Sequence, residues 1–288
     1  MRVANKTIYD AVIYNLGNRT QEMNKASEIV STGKRINNLS DDPVGLTQVL
    51  NVRSAISNIE QMQRNISLGN SWLASSESAL TNVEDIISDT KALCVQMANA
   101  TIGSAERLSA AGTVQNMLDE IISLANTNVA GNYIFSGSKT DTTPFSSNGT
   151  YNGNDNAFTV KIGKDATVEV GSDGDAVFGN IFSTMADLKT ALEANDVGGI
   201  QDAMSNLEGH FDDIVTKISD VGSKMNRMDV KEKILQDLNF ANTDRLSKIE
   251  DADLAEAIME LEARELAYQA ALSSSSKLLT LTLMDYME

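Results

Sequence analysis

The residue types that most often carry catalysis are sparse in this chain and lie far apart. The sequence contains one histidine, His210, and one cysteine, Cys94. A serine hydrolase could use the histidine, but the Gly-x-Ser-x-Gly turn that presents such a serine does not occur. Zinc needs several histidine or cysteine ligands. We therefore interpret His210 as a helical surface residue and Cys94 as a small buried hydrophobe, because the cysteine falls in an apolar-periodic stretch.

Two short polar motifs match only part of an ion-binding or phosphate-binding loop. Asp173-Gly174-Asp175 matches the start of a calcium loop, but the later ligands and the closing glutamate are missing at the required spacing. Gly163-Lys164 lacks the remaining glycines of a phosphate-binding loop. The carboxylates are spread along helices, and no aromatic-lined pocket that would separate their pKa values is indicated. The sequence therefore predicts no catalytic site, no cofactor and no metal.

The charge distribution restricts the classes of partner. The 288 residues carry a net charge of −17, which argues against nucleic-acid binding because phosphate contacts need a basic surface. The charge is uneven: residues 1–40 hold six basic and three acidic residues, whereas residues 249–288 hold two basic and nine acidic ones. We expect the two ends to attract each other. An apolar run long enough to span a membrane is lacking, and Met1–Lys6 is not followed by the apolar core of a conventional secretory signal.

Each end of the chain has the pattern of a helix with one apolar stripe. In the first segment, Ile8, Val12, Leu16 and Met23 fall at helical spacing, and Gly33 is placed to end the helix. In the last, apolar residues follow a stripe with spacings of four and three, which Glu265 and Ser275 interrupt: Leu254, Ile258, Leu261, Tyr268, Leu272 and Leu279. Such helices are marginal alone, because their stability comes from packing the apolar face. The pattern leaves two possibilities open, which are packing against partners and packing against the rest of the same chain.

Between the ends, helical periodicity runs from about Val44 to Val129 with a break at 101–103, and resumes near Ile181. Residues 131–180 are rich in Gly, Asn, Asp and Ser, and Phe158–Ile162 and Ala166–Val170 alternate as two strands of a hairpin with a three-residue turn. The predicted fold is mainly α: a long antiparallel helical rod or coiled coil formed by the two halves, with a small β-rich insertion. We expect three parts, which are residues 1–42 with 250–288, residues 43–130 with 181–249, and the insertion at 131–180.

Three segments resemble the bacterial flagellin family. STGKRINNLSDDPVGL at residues 31–46 is similar to the turn after the first helix of flagellins, and the segment from Asp244 to Met287 is similar to their C-terminal helix, especially at Ile249–Asp253. GNYIFSGSKTDTTPF at residues 131–145, the ending Leu283–Met287 and the proline at 43 resemble the branch of the family found at the hook–filament junction. The resemblance extends over essentially the whole chain in order and spacing.

This resemblance implies an extracellular structural subunit of the flagellum, exported unfolded through the type III channel. Its terminal helices would form an inner coiled-coil layer through the ten stripe residues named above, and the turn would set the angle between layers through Arg35, Asn37, Asp41, Asp42 and Pro43. The implied partners are copies of the chain in a ring, another hook-associated protein on the hook side, flagellin on the filament side, and a cytoplasmic chaperone on the C-terminal helix. Two alternatives remain, a short filament flagellin and, more distantly, an autonomous secreted helical effector or signalling protein.

Overall fold

The computed structural model describes the backbone of residues 2–284, and the side chains of residues 6–277 except Ile8. Over this range the chain is mainly α-helical, as predicted, with two small antiparallel sheets. The helices are α1 (Arg2–Thr32), α2 (Pro43–Met97), α3 (Ser104–Ala125), α4 (Asn180–Glu193), α5 (Val197–Glu250) and α6 (Leu254–Met284). Leu283, in the predicted ending, lies within α6, and the residues after Met284 lie outside the described residues.

The end of α1 and the start of α2 are determined by local interactions of the residues at these positions. Gly33 has a φ of +69°, a left-handed conformation in which an L side chain would be strained, and its N–H donates to the carbonyl of Ile29. Pro43 is the first residue of α2, and the Asp42 carboxylate caps this helix by accepting from the N–H of Gly45 at 2.8 Å. The predicted helix end and helix start are both confirmed.

The chain divides into two compact units, Met1–Asn58 with Asn239–Glu288, and Ile59–Leu238. In the first unit α1 packs against α6, and the buried apolar side chains among those described are few: Ala26, Ile36, Val49, Val52 and Ala257. The second unit has a much larger core, in which α3 packs against α4 and the aromatic rings of Phe135, Phe145, Phe178 and Phe182 contact one another. The three-part division from the sequence stays a prediction, because it concerns layers of an assembly.

The predicted hairpin is confirmed within the second unit. Strand β3 (Thr159–Lys161) pairs antiparallel with β4 (Thr167–Glu169), and Val160 lies opposite Val168. Both valines are buried, while the threonines, Lys161 and Glu169 are exposed, which is the alternation that the sequence shows. The N–H groups of Ile162 and Gly163 donate to the carbonyl of Ala166 and close the turn.

The predicted helix up to Val129 ends four residues early, at Ala125. The side chain of Asn126 donates to the carbonyl of Phe145 and accepts from its N–H, both at 2.9 Å, so it binds a distant loop. Strands β1 (Asn128–Val129) and β2 (Asn132–Tyr133) then form a two-residue hairpin through Ala130 and Gly131, both with positive φ. A short π-helical turn at Asp175–Gly179 leads into α4. Helix α5 begins at Val197.

Candidate assembly surface

Helices α1 and α6 form an antiparallel pair. The N–H of Ala252 donates to the carbonyl of Gly33 where α1 ends and α6 is about to begin, and further along both helices Arg264 donates to Glu22 at 2.9 Å. Three of the α1 residues predicted from the stripe, Val12, Leu16 and Met23, are half-buried, as are Leu261 and Tyr268 on α6. The pair therefore brings together five of the ten predicted surface residues on faces of intermediate exposure.

Three other predicted residues of α6 remain exposed to solvent. Leu254, Ile258 and Leu272 keep 51%, 46% and 42% of their accessible surface. The most protected line along α6 instead follows Ala257, Leu261, Arg264, Tyr268 and Ala271. Since successive helical residues turn by about 100°, the leucines and isoleucine lie to one side of that line, and α6 presents a second apolar face. The side chains of Ile8 and Leu279 lie outside the described ones.

Among the described side chains of α1 and α6, the most buried are two alanines, and Ala257 is not part of the predicted stripe. Ala26 keeps 6% and Ala257 keeps 9% of its accessible surface. Alanine at helical spacing in an alanine-rich helix carries little signal of its own, because it is common on buried and exposed faces alike. Arg264 was also missed, since an arginine within a predicted stripe reads as an interruption until its partners Glu22 and Glu260 are known.

The predicted turn is an ordered network of hydrogen bonds. The Asp41 carboxylate accepts from the backbone N–H groups of Asn37 and Asn38, and its other oxygen lies 2.8 Å from Nζ of Lys25. The hydrogen bond from Lys25, together with the backbone donors, holds the pKa of Asp41 below its ordinary value. Asn37 donates from its side-chain amide to the carbonyl of Lys34 at 2.9 Å. These contacts connect the turn both to itself and to α1.

The same turn is joined to the end of α5. The guanidinium of Arg35 donates to the carbonyl of Ile249 at 3.0 Å and lies 3.6 Å from the Asp42 carboxylate. The N–H of Arg35 donates to the carbonyl of Glu250 at 2.7 Å, and Lys34 pairs with Asp251 as an isolated bridge. The turn at 33–42 and the link at 251–253 therefore form one structural element, which contains four of the five predicted turn residues, while the fifth, Pro43, begins α2.

Glu250 is the functional candidate that sequence reasoning missed. Its side chain is buried, and its carboxylate receives both Lys34 and the guanidinium of Arg53. Buried carboxylates need such partners, because removing a charge from water is costly. The motif Ile249–Asp253 was noted for its resemblance, but a single sequence does not reveal which of its five acidic or apolar side chains is buried.

Cys94 and His210, the residues considered above for catalysis, both lie on long helices. Cys94 is buried, as predicted, and burial raises the pKa of its thiol to about 11. His210 lies on α5, half-buried, with Nε2 2.9 Å from Oγ1 of Thr184. Among the side chains that the structure describes, three or more His, Cys, Asp or Glu residues do not come together in a way that could hold a metal ion. Within the same part of the chain, the helices are not long and apolar enough to cross a membrane.

Comparison with known proteins matches both ends of the chain. The family model for the bacterial flagellin N-terminal helical region matches residues 3–140, and that for the C-terminal helical region matches residues 204–287. Flagellar hook-associated protein 3 of Salmonella typhimurium is 25% identical over 300 residues, which cover 94% of this chain and 95% of that protein. Flagellin of Listeria innocua is 24% identical over 272 residues, covering 91% and 90%.

Solved structures share the fold. FlgL of Bacillus cereus is 25% identical, with a TM-score of 0.62 over 68% of this chain and 99% of that one. Hook-associated protein 3 of Legionella pneumophila is 18% identical, with a TM-score of 0.64 over 70% and 98%. The flagellin models at both ends, together with these likenesses, show that the chain belongs to the bacterial flagellin family and is similar within it to hook-associated protein 3.

Proposed function

We propose that this chain is a structural subunit of the bacterial flagellum, located outside the cell at the hook–filament junction. Copies of it would associate into a ring that connects the hook side to the flagellin filament. The observation that carries the proposal is the pairing of α1 with α6 in a unit of few buried apolar residues, while Leu254, Ile258 and Leu272 stay exposed. A helix with apolar residues on two sides is suited to packing in an assembly.

The proposed assembly has layers that correspond to the three predicted parts of the chain. Residues 1–42 with 250–288 would form the inner layer, residues 43–130 with 181–249 the next, and residues 131–180 an outer domain. The proposed inner contacts use Ile8, Val12, Leu16, Met23, Leu254, Ile258, Leu261, Tyr268, Leu272 and Leu279. The turn containing Arg35, Asn37, Asp41, Asp42 and Pro43 would hold the angle between the first two layers, and its network of hydrogen bonds supports that role.

The proposed partners are copies of the chain, another hook-associated protein on one side and flagellin on the other. A cytoplasmic chaperone would cover α6 before export, because exposed apolar side chains on a marginal helix favour aggregation. We propose a structural role without catalysis, a metal or a cofactor. The names of the relatives support that role.

The test is deletion of the gene, followed by electron microscopy of the cell surface and a blot for flagellin in the medium. Bare hooks with flagellin in the medium are expected, because filament subunits would be exported without a junction to build on. Bare hooks without flagellin anywhere would make the chain the filament protein itself, the alternative that the similarity to Listeria innocua flagellin favours. Normal filaments would contradict both proposals.

A further inference from the structure

Helix α5 carries an exposed strip of apolar and basic residues in the second unit. Val230, Ile234 and Leu238 recur every fourth residue and keep 58%, 45% and 47% of their accessible surface. Arg227 and Lys231 lie on the same side of the helix, since residues three and four apart share a face. Met228 and Leu235, which lie about a quarter turn around the helix from this side, are buried. We call Arg227, Val230, Lys231, Ile234 and Leu238 the α5 strip.

Helix α6 carries an exposed strip of the opposite charge in the first unit. Ile258, Met259 and Leu266 keep 46%, 64% and 69% of their accessible surface. Glu262 and Glu265 are exposed between them, and all five lie away from the line of α6 that packs on α1. We call these five residues the α6 strip. Each strip covers two to three helical turns, or about 12–17 Å at 1.5 Å per residue.

Of the four charged residues in the two strips, Arg227, Glu262 and Glu265 are exposed and Lys231 is half-buried. In the part of the chain that the structure describes, the ion pairs near the α5 strip join Lys224 to Asp220 and Lys248 to Asp244. Those of α6 join Arg264 to Glu22 and to Glu260. None of these pairs includes a residue of either strip. Both strips therefore combine exposed apolar side chains with charges of one sign and no described ion-pair partner.

We propose that the α6 strip of one copy packs against the α5 strip of a second copy. Two α6 strips facing each other would place Glu262 and Glu265 of one copy against the same acidic residues of the other. Two α5 strips would likewise place Arg227 and Lys231 against basic residues. The mixed contact instead opposes acidic to basic residues while covering apolar side chains on both sides, and like-charge juxtaposition is the costly alternative. This inference rests on the proposed function, and it names the contact through which copies associate.

The mixed contact also determines the kind of assembly. Because it uses two different surfaces, each copy retains one unused strip after it binds a neighbour. Such heterologous contacts close into a ring or continue as a helix, whereas a contact between identical surfaces stops at a dimer. A ring at the junction requires the first kind. The contact between the two strips therefore allows copies to join into a ring, which the pairing of α1 with α6 inside one chain cannot do.

The test uses charge reversal and rescue in a strain that lacks the gene and receives it from a plasmid. Arg227→Glu with Lys231→Glu, and separately Glu262→Lys with Glu265→Lys, are each expected to reduce the fraction of hooks bearing filaments by about tenfold or more, the factor that 1.4 kcal/mol of lost affinity gives. The quadruple variant restores opposite charges and is expected to recover most filaments. Lys139→Glu with Lys217→Glu is the matched control, since it changes net charge equally at exposed lysines away from both strips.

Three outcomes would overturn the contact. The first is normal assembly by both double variants, and the second is a quadruple variant no better than the doubles. The third is that the purified monomer of each double variant loses thermal stability and the quadruple variant regains it. That result would place the contact inside one chain. A blot for each variant in the medium checks export. Normal filaments in the untransformed deletion strain would refute the proposed function. If that strain has bare hooks but both double variants assemble normally, only the contact between the strips is refuted.

Discussion

The ammonium group of Lys34 lies 2.6 Å from Oε1 of Glu250, and the backbone N–H of the next residue, Arg35, donates to the carbonyl of the same glutamate at 2.7 Å. Glu250 thus holds the turn after α1 with both its side chain and its main chain. Its carboxylate also receives the guanidinium of Arg53 from α2. One buried residue at the end of α5 therefore connects the turn, α2 and the link to α6.

Glu250→Gln is expected to destabilise the first unit by about 1–3 kcal/mol, because a buried carboxylate that accepts from two cations is replaced by a neutral amide. Lys34 and Arg53 are 40% and 47% exposed and can hydrate, which keeps the loss moderate. Urea unfolding and the rate of proteolysis within residues 33–42 measure the effect. Glu262→Gln, at an exposed position, is the control. A variant with unchanged stability and unchanged cleavage would show that the ion pairs contribute nothing.

Leu261→Asp is expected to permit export and to prevent incorporation into the flagellum. Leu261 is half-buried on the side of α6 that packs against α1, so a carboxylate there would lose solvation in an apolar contact. Blots of the medium and of isolated hooks separate export from assembly. Ser274→Asp introduces the same charge at an exposed position of α6 beyond the α6 strip and should assemble. Normal junctions built by the Leu261 variant would remove this residue from the proposed surface.

Asp41→Asn is expected to weaken the turn at neutral pH and to have less effect in acid. Because the pKa of Asp41 is lowered in the folded protein, its ionised form contributes stability above the unfolded pKa of about 3.9. That contribution is lost as the pH falls through the lower folded value. The difference in unfolding free energy between wild type and variant should therefore shrink from pH 5 downwards. A difference that is constant with pH would contradict a role for the charge, and Asp10→Asn serves as the control.

Arg107→Met is expected to destabilise the second unit by about 2–4 kcal/mol, since it leaves buried hydrogen-bond acceptors without a donor. Arg107 keeps 4% of its accessible surface and donates to the carbonyls of Met97 and Asn99 at 2.9 and 3.0 Å, just past the end of α2. It also donates to the side chain of Asn195. Arg64→Met, at an exposed position of α2, should change the unfolding free energy far less. Equal effects of the two substitutions in urea would contradict this role.

Local signals in the sequence were enough for much of the fold. Periodicity predicted the helices, Gly33 marked a helix end, and the alternation around Val160 predicted the hairpin. Long-range contacts set the rest. Asn126 ends α3 by binding a residue nineteen positions away, which no local pattern indicates.

The predicted stripe on α6 shows the same limit at the candidate surface. A repeat of three and four residues is compatible with two neighbouring faces of a helix, and only the position of α1 decides which face is covered. The structure covers Leu261 and leaves Ile258 exposed. Glu250 could not be singled out either, because its partners Lys34 and Arg53 lie in a distant part of the sequence.

The thiol of Cys94 is expected to resist alkylation in the native protein even at pH 9. Burial raises its pKa to about 11, so thiolate is scarce as well as inaccessible. Iodoacetamide should modify a Ser223→Cys control, at an exposed position of α5, while leaving Cys94 intact until urea is added. The raised pKa also predicts that unfolding free energy falls above about pH 8.5, where the unfolded thiol ionises first, until about pH 11. Cys94→Ala should lose this component of the pH dependence. Rapid alkylation of Cys94 without denaturant would mean that this part of the second unit opens readily, contrary to its fully packed surroundings.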